Sequence, residues 1–233
     1  MRHLLSMRWR DLLFAHWRVD PGRIGPELPD RLSVDTYDGD AYLGVVPFEM
    51  ADIRPRGSPV GLAFGELNLR TYVTADGAPG VYFFNLDADD RFGVRIARSL
   101  FRLPYYRASM RIETQGEGTD RTVSFRSRRR TPDAPPARFR ARYGPDGGFR
   151  EPASGSIEAF LTERYRFYTA DDSGRVYYGD IDHDPWRLAP AWAEVEANDL
   201  FRANDFDRPD GEPIRHFAAP IDVTADRIRR FER

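Results

Sequence analysis

The stretch ELNLRTYV, residues 66–73, alternates polar and apolar side chains with a period of two. Successive side chains of a β-strand point to opposite faces, so this stretch predicts a strand with two chemically different faces. One face carries a carboxylate, an amide, a guanidinium and a phenol, from Glu66, Asn68, Arg70 and Tyr72. In a sheet closed into a barrel either face could be the inner one, and with the polar face inward these groups would converge on a small-molecule cavity. In an ordinary amphipathic strand they would lie in water, and the pattern alone favours that arrangement.

The segments around this stretch predict a succession of β-hairpins. Residues 32–37 and 41–50 flank the turn 38–40, and residues 64–74 and 81–87 flank a turn with two glycines and a proline. Further strands are predicted over residues 12–19, 103–113, 122–127, 138–143, 166–169 and 175–178. From Trp192 onward the chain becomes acidic and polar, and we expect irregular structure there.

Helices are predicted to be few. The clearest covers Asp90–Arg102, with Asp89 as its cap and an apolar stripe opposite a row of arginines. Shorter ones are predicted over residues 23–28 and from a Ser156 cap to Arg164. The expected fold is therefore α+β, an antiparallel β-barrel-like sheet with a few short helices, formed by one domain over residues 1–233.

Composition excludes several kinds of chemistry. The 35 basic residues are all arginine, and the chain contains no cysteine. Without lysine there is no side chain for a Schiff base, a pyridoxal phosphate aldimine or a Walker A phosphate loop. Without cysteine there is no disulfide, thiol nucleophile or cysteinyl zinc site. We expect no cofactor.

Charge and hydropathy bear on partners and location. The formal net charge is −2, which gives no overall field to steer nucleic acid or acidic membranes. Eight arginines lie between residues 121 and 142, and a solvated hairpin face is favoured over nucleic-acid binding as their explanation. No apolar run approaches the ~18 residues of a spanning helix, and Arg8, Arg10 and Asp11 interrupt any signal peptide. We expect a cytoplasmic protein whose partner is a small molecule, not nucleic acid or membrane.

The run DIDHDPW, residues 180–186, places Asp180, Asp182 and Asp184 beside His183. Carboxylate oxygen and imidazole nitrogen could together ligate a metal. The run nevertheless fails the calcium-loop template, because proline and alanine stand where that loop needs glycine and glutamate. A turn with a structural histidine is favoured, and we predict no metal site.

Six motifs occur in order across most of the chain and are specific as a set. They are LFAHW at 13–17, DGDAYLGVVPF at 38–48, LRTYV at 69–73, GVYFF at 80–84, LPYY at 103–106 and HDPW at 183–186. Together they resemble the YqjF-like family of domains of unknown function, which is similar in turn to the acetoacetate decarboxylase-like fold. The resemblance implies an internal cavity, and it favours the arrangement in which Glu66, Asn68 and Arg70 face that cavity.

The resemblance also implies roles for individual residues. The active-site glutamate of the decarboxylase pattern falls on Glu66, and its N-terminal active-site arginine falls on Arg10. Its reactive pair of lysines falls on Tyr105 and Tyr106, which follow Pro104. Tyrosine cannot form an imine, so the resemblance implies a similar pocket and argues against the same reaction.

Two functions of different classes remain open. In the first, the protein is an enzyme without Schiff-base chemistry. Glu66 would act as a general acid or base, and Arg70 or Arg10 would bind an anionic substrate. Tyr105 or Tyr106 would donate a hydrogen bond. In the second, the same pocket binds a small acidic metabolite without chemistry, as a sensor or storage protein. The predicted ligand contacts are Asn68, Arg70 and Tyr72.

Overall fold

The computed structural model describes residues 3–89, 102–171 and 173–232, and these are mostly β-strand. The strands are β1 (Leu5–Arg10), β2 (Leu12–Val19), β3 (Ser33–Val34), β4 (Ala41–Pro55), β5 (Leu62–Ala75), β6 (Ala78–Ala88), β7 (Tyr105–Gln115), β8 (Thr122–Arg129), β9 (Arg138–Pro145), β10 (Arg166–Ala170), β11 (Val176–Asp182), β12 (Leu188–Asn198), β13 (Ile214–Ala218), β14 (Ile221–Ala225) and β15 (Arg229–Arg230). The helices are α1 (Pro21–Ile24) and α2 (Ile157–Thr162), and 3-10 turns cover Gly25–Glu27, Gly118–Asp120 and Arg202–Asn204. The helix predicted to start at Asp90 lies outside the described residues over positions 90–101.

These strands form one sheet that closes on itself twice. The first ring runs β1-β14-β11-β10-β6-β5-β4 and returns to β1. The second ring runs β6-β7-β8-β9-β12-β13-β2-β4-β5 and returns to β6. Strands β4, β5 and β6 belong to both rings and form the wall between them. The pairings are antiparallel except for β10 with β6 and β6 with β7. The predicted α+β fold, a barrel-like sheet with few short helices, is confirmed.

A bend at Asp11 lets two short strands share one long partner. The first part of β4 pairs with β2, and its second part pairs with β1. Asp11 lies between β1 and β2 with φ of 54°, in the left-handed region that few residues other than glycine, asparagine and aspartate adopt. Its buried carboxylate accepts two hydrogen bonds from Arg121, at 2.7 and 2.9 Å. This bidentate pair stabilises the bend at which the two rings diverge.

The shared wall separates two hydrophobic cores. Leu67 and Leu69 of β5 pack inside the second ring, whereas Val46 and Phe48 of β4 pack inside the first. Because side chains alternate along a strand, the even-numbered residues of β5 point toward the first ring. The wall is covered on both faces, so Glu66, Asn68 and Tyr72 are buried inside the protein and Arg70 is half-buried, instead of lying in water.

The expectation of irregular structure from Trp192 onward is wrong. Strand β12 continues to Asn198, and three more strands follow. Glu194 and Glu196 of β12 lie 3.7 and 3.0 Å from Arg142 and Arg140 of β9, measured between nitrogen and oxygen. Opposite charges on neighbouring strands stabilise an exposed sheet face, which is why a polar, acidic sequence forms a strand here.

Several arginines of segment 121–142 are already paired within the protein. The arginines with a carboxylate partner are Arg121, Arg129, Arg138, Arg140 and Arg142. These contacts agree with the interpretation of the segment as part of a folded sheet. Within the described part of the chain, every helix is too short or too polar to cross a membrane.

Candidate functional site

The first ring contains a cavity of about 200 Å³. Its wall is mainly apolar and aromatic, with side chains from β1, β4, β5 and β6 among others. The structure brings Glu66, Asn68 and Arg70 of β5 to this wall, together with Tyr105 at the start of β7. A largely apolar cavity with a few convergent polar groups is typical of a small-molecule site.

Glu66 is the buried acid of the cavity. Its side chain belongs to a residue that is 3% exposed, and Oε2 accepts a hydrogen bond of 2.8 Å from the Tyr105 hydroxyl. Burial raises the pKa of Glu66 to about 7, although the hydrogen bonds from Tyr105 and Asn68 oppose this rise. Within the described residues, its carboxylate has no arginine or histidine partner. Glu66 therefore changes its protonation state near neutral pH, as a general acid or base must.

Tyr105 and Asn68 flank this carboxylate. Burial, followed by the charge of Glu66, raises the pKa of Tyr105 well above its usual value, so its hydroxyl remains protonated and donates. Asn68 Nδ2 lies 3.4 Å from Glu66 Oε1, which makes a long, weak hydrogen bond. The Oδ1 of Asn68 is buried and accepts no hydrogen bond from a described residue. An unpaired buried acceptor of this kind is costly and often marks a functional position.

Arg70 is the cation of the cavity wall. Its Nη2 donates to the Tyr72 hydroxyl at 3.3 Å and to the Leu161 carbonyl at 3.2 Å. The guanidinium also lies over the ring of Phe14, 5.1 Å from the ring centre. In the part of the chain that the structure describes, no carboxylate pairs with it, and its Nε is buried without a partner. The positive charge of Arg70 is therefore not neutralised by the described protein residues.

Tyr72 contacts Arg70 from beside the cavity, within the core of the first ring. Its hydroxyl donates to the Leu161 carbonyl at 2.6 Å, and His16 Nε2 lies 2.7 Å from the same hydroxyl. The hydroxyl has one proton, which the carbonyl accepts, so His16 Nε2 carries hydrogen and donates. Burial, followed by the charge of Arg70, lowers the pKa of His16 well below its usual value, so the imidazole is neutral. Tyr72 does not itself line the cavity.

A glycine makes room for this arrangement. Gly44 pairs with both His16 on β2 and Arg70 on β5. A Cβ at position 44 would lie 2.8 Å from His16 Cδ2 and 3.4 Å from Arg70 Cγ. Glycine is therefore the residue that allows the imidazole and the guanidinium stem to pass side by side.

Besides Tyr72, which was predicted as a ligand contact, two more of the predicted site residues lie away from the cavity wall. Arg10 donates to Glu49 at 2.6 Å, and its side chain is 47% exposed. Tyr106 follows Tyr105 on a strand, so it points to the opposite face, where the guanidinium of Arg129 covers its ring at 4.1 Å. Neither side chain is among those that line the cavity.

Other cavity residues were not predicted from the sequence. Arg164 and Arg166 line the cavity, but each pairs with a carboxylate, Asp35 at 2.7 Å and Asp180 at 2.6 Å. The indoles of Trp9 and Trp186 stack with ring centres 6.1 Å apart. The alternation LSMRWR of β1 was the available signal for Trp9, whereas Arg164 lies outside any periodic segment.

The acidic run 180–186 contributes one side chain to the cavity, His183. This imidazole stacks on Tyr165 at 4.6 Å and donates from Nδ1 to the Asp184 carbonyl at 2.7 Å. Asp180 pairs with Arg166 instead of turning toward His183. Within residues 3–89, 102–171 and 173–232, no group of three or more histidine, aspartate or glutamate side chains is arranged to hold a metal ion.

The ring-like sheet around this cavity places the chain in the acetoacetate decarboxylase-like class of folds. An acetoacetate decarboxylase-like enzyme from Sphingomonas wittichii RW1 superposes with a TM-score of 0.65 over 100% of this chain and 94% of its own, at 15% identity. The enduracididine biosynthesis enzyme MppR, solved in complex with pyruvate, superposes with a TM-score of 0.66 over 99% of this chain and 91% of its own, at 13% identity. At such identities the likeness is one of fold.

The sequence comparisons identify the family. Residues 6–222 match the model of the DUF2071 family, described as an uncharacterized conserved protein. The chain is 40% identical over 231 residues to the uncharacterized protein YqjF of Bacillus subtilis strain 168, covering 98% of this chain and 93% of that protein. The chain belongs to the DUF2071 family, and the YqjF-like resemblance is confirmed.

Proposed function

We propose that the protein binds a small carboxylic acid in the cavity of the first ring, with Arg70 as the residue that binds the carboxylate. The observation that carries this proposal is the guanidinium of Arg70, which lies in an apolar wall with no carboxylate partner among the described residues. Arg70 is half-buried, and a charge that is partly removed from water is costly unless it is paired. A ligand carboxylate would supply the missing partner, and the planar guanidinium suits it.

The other arginines near the site fit this role less well. Arg164 and Arg166 are neutralised by Asp35 and Asp180. Arg10 pairs with Glu49 and is nearly half exposed, although the resemblance implied an anion-binding role for it. The pyruvate held by MppR is a small carboxylate of the proposed class, in a protein of similar fold.

Binding is tested by isothermal titration calorimetry of the purified protein with a panel of small monocarboxylates. Arg70→Met keeps the apolar stem and removes the charge, so it is expected to abolish binding. Arg8→Met removes an exposed arginine that pairs with Asp222 and serves as the matched control, with binding unchanged. Carboxylate binding that survives in Arg70→Met, or is lost in Arg10→Met instead, would show that the assignment to Arg70 is wrong.

A second candidate function is proton-transfer catalysis on the bound acid. The observation that favours it is the pKa of Glu66, about 7, at the cavity wall. A base of this kind could remove a proton next to a ligand carbonyl without any imine. The test is deuterium exchange at that carbon of a bound keto acid, followed by NMR. Exchange in the unmodified protein and its loss in Glu66→Gln is expected for an enzyme. If the protein binds the keto acid but does not catalyse the exchange, this second candidate function is wrong and only the binding function stands.

A further inference from the structure

Aromatic side chains form a continuous series of contacts along the cavity wall, and the series begins at Arg70. The guanidinium carbon of Arg70 lies 5.1 Å from the ring centre of Phe14. The rings of Phe14 and Trp186 are perpendicular, with centres 5.2 Å apart and planes at 86°. Trp186 stacks on Trp9 at 6.1 Å, and Trp9 contacts Phe48 at 5.5 Å. All five side chains line the cavity, so these rings belong to the wall that a ligand would contact.

The small size of the cavity brings any ligand on Arg70 against these rings. The cavity volume is about 200 Å³, and an apolar protein cavity of ~150 Å³ is large enough to bind benzene. A molecule with one six-membered ring and a carboxylate is therefore of the right scale to fill it. A ligand anchored on Arg70 in so small a space has Phe14 and Trp186 as its nearest aromatic neighbours.

The geometry of the two nearest rings favours an aromatic ligand over an aliphatic one. Aromatic rings attract one another when they are offset-stacked or edge-to-face, beyond the effect of the area they bury. Because Phe14 and Trp186 are perpendicular, a ligand ring that stacks on one of them stands edge-on to the other. Each such pair strengthens association about 2- to 12-fold. An aliphatic ring of the same size gains from burial alone.

We propose that the ligand is an aromatic carboxylic acid, with its carboxylate on Arg70 and its ring against Phe14 and Trp186. This inference rests on the proposed function and adds the chemistry of the apolar part of the ligand. Aromatic walls can also bind organic cations through the faces of their rings. The positive charge of Arg70 beside Phe14 repels a cation, so this wall suits an anion that carries a ring.

The test compares two acids that differ in the saturation of the ring, phenylacetate and cyclohexylacetate, by isothermal titration calorimetry at pH 7. Both present the same carboxylate on the same single carbon, so the contribution of Arg70 cancels in the ratio of their affinities. The saturated ring buries at least as much apolar surface, so burial alone would favour cyclohexylacetate. With two aromatic pairs, phenylacetate is expected to bind at least about fivefold more tightly.

Two variants replace a ring of the wall by an aliphatic side chain. Phe14→Leu and Trp186→Leu should each lower the ratio of affinities at least about twofold, because each removes one aromatic pair. Phe84→Leu is the matched control, since its ring contacts Phe206 at 4.8 Å on the side of the second core, and it should keep the full ratio. Nuclear Overhauser contacts between the phenylacetate ring and the Trp186 indole test the same placement in the unmodified protein.

The outcomes separate this inference from the proposed function. A ratio below fivefold, with binding of both acids lost in Arg70→Met, would overturn the aromatic ligand and leave the carboxylate site standing. The same holds if other small monocarboxylates bind and neither ring acid does. A ratio unchanged in both Phe14→Leu and Trp186→Leu, or the absence of contacts with the Trp186 indole, would show that the ring lies elsewhere and refute the inference. Failure of every carboxylate to bind would overturn the proposed function itself.

Discussion

Replacing Glu66 with glutamine should change the pH dependence of stability in a defined direction. Burial raises the pKa of Glu66 from an ordinary 4.5 to about 7 in the folded protein. A raised pKa in an acid means that the folded state holds its proton more tightly than the unfolded chain. The stabilisation is therefore complete below pH 4.5 and is lost as the pH rises through 7. At ~1.36 kcal/mol per pKa unit, the total loss is about 3 kcal/mol.

Glu66→Gln keeps the shape and the ability to accept from Tyr105, but it does not titrate. Urea unfolding between pH 5 and pH 8 measures the free energy of unfolding of both proteins. In the difference between the two free energies, the contributions of all other titrating groups cancel. The variant should differ from the unmodified protein by less than ~1 kcal/mol at pH 5 and be more stable by about 3 kcal/mol at pH 8. Glu113→Gln, at an exposed position of β7, is the matched control and should track the unmodified protein.

The reasoning fails if the two stability curves stay parallel across this pH range. Parallel curves would mean that Glu66 keeps an ordinary pKa in the folded protein, and that the cavity wall is wetter than its burial indicates. A variant that is less stable at every pH would instead show that the carboxylate makes a net favourable interaction. Either result would also remove the main support for proton transfer by this residue.

Three further predictions concern the shared wall and the chemistry of the cavity. Arg129→Met leaves the Asp87 carboxylate without its ion-pair partner at a position where both side chains are 1% exposed. The free energy of unfolding in urea should fall by ~3–5 kcal/mol, and a much smaller fall would contradict the burial of this pair. Gly44→Ala places a Cβ against His16 and should cost ~1–3 kcal/mol, whereas Gly148→Ala, with open space around it, should be close to neutral. Incubation with acetoacetate and borohydride should modify no side chain and release carbon dioxide at the uncatalysed rate, because the chain has no lysine. Catalysed release with the N-terminal amine blocked would show a route without an imine.

The alternation of residues 66–73 predicts a strand, but it does not show which face is inside. Leu67 and Leu69 pack against residues of β8 and β9, which lie far along the chain. No local pattern reports that a strand will be covered on both sides by a sheet that closes twice. The resemblance supplied this information, since it favoured the arrangement with Glu66, Asn68 and Arg70 on a cavity.

Local alternation also explains the residues that sequence reasoning left ambiguous. Tyr105 and Tyr106 are neighbours on β7, so only one of them can face the cavity. Arg10 is on β1, whose cavity-facing residues are Leu5, Met7 and Trp9. Residues 5–10 were not predicted as a strand, so the sequence did not indicate toward which face the Arg10 side chain points. The roles of Glu66, Arg70 and Tyr105 in binding or catalysis remain predictions.

Because the shared wall faces a different core on each side, substitutions in β5 fall into two kinds, according to whether the position is even-numbered or odd-numbered. Around Glu66, even-numbered positions of β5 set the chemistry of the cavity, while odd-numbered positions such as Leu67 set the packing of the other core. The backbone hydrogen bonds of β5 do not depend on which side chains occupy either set of positions. Single changes at even-numbered positions should therefore alter the chemistry of the cavity wall and leave the packing of the second core in place. Redesign of the cavity should therefore begin at positions 68 and 70 and leave 67 and 69 untouched.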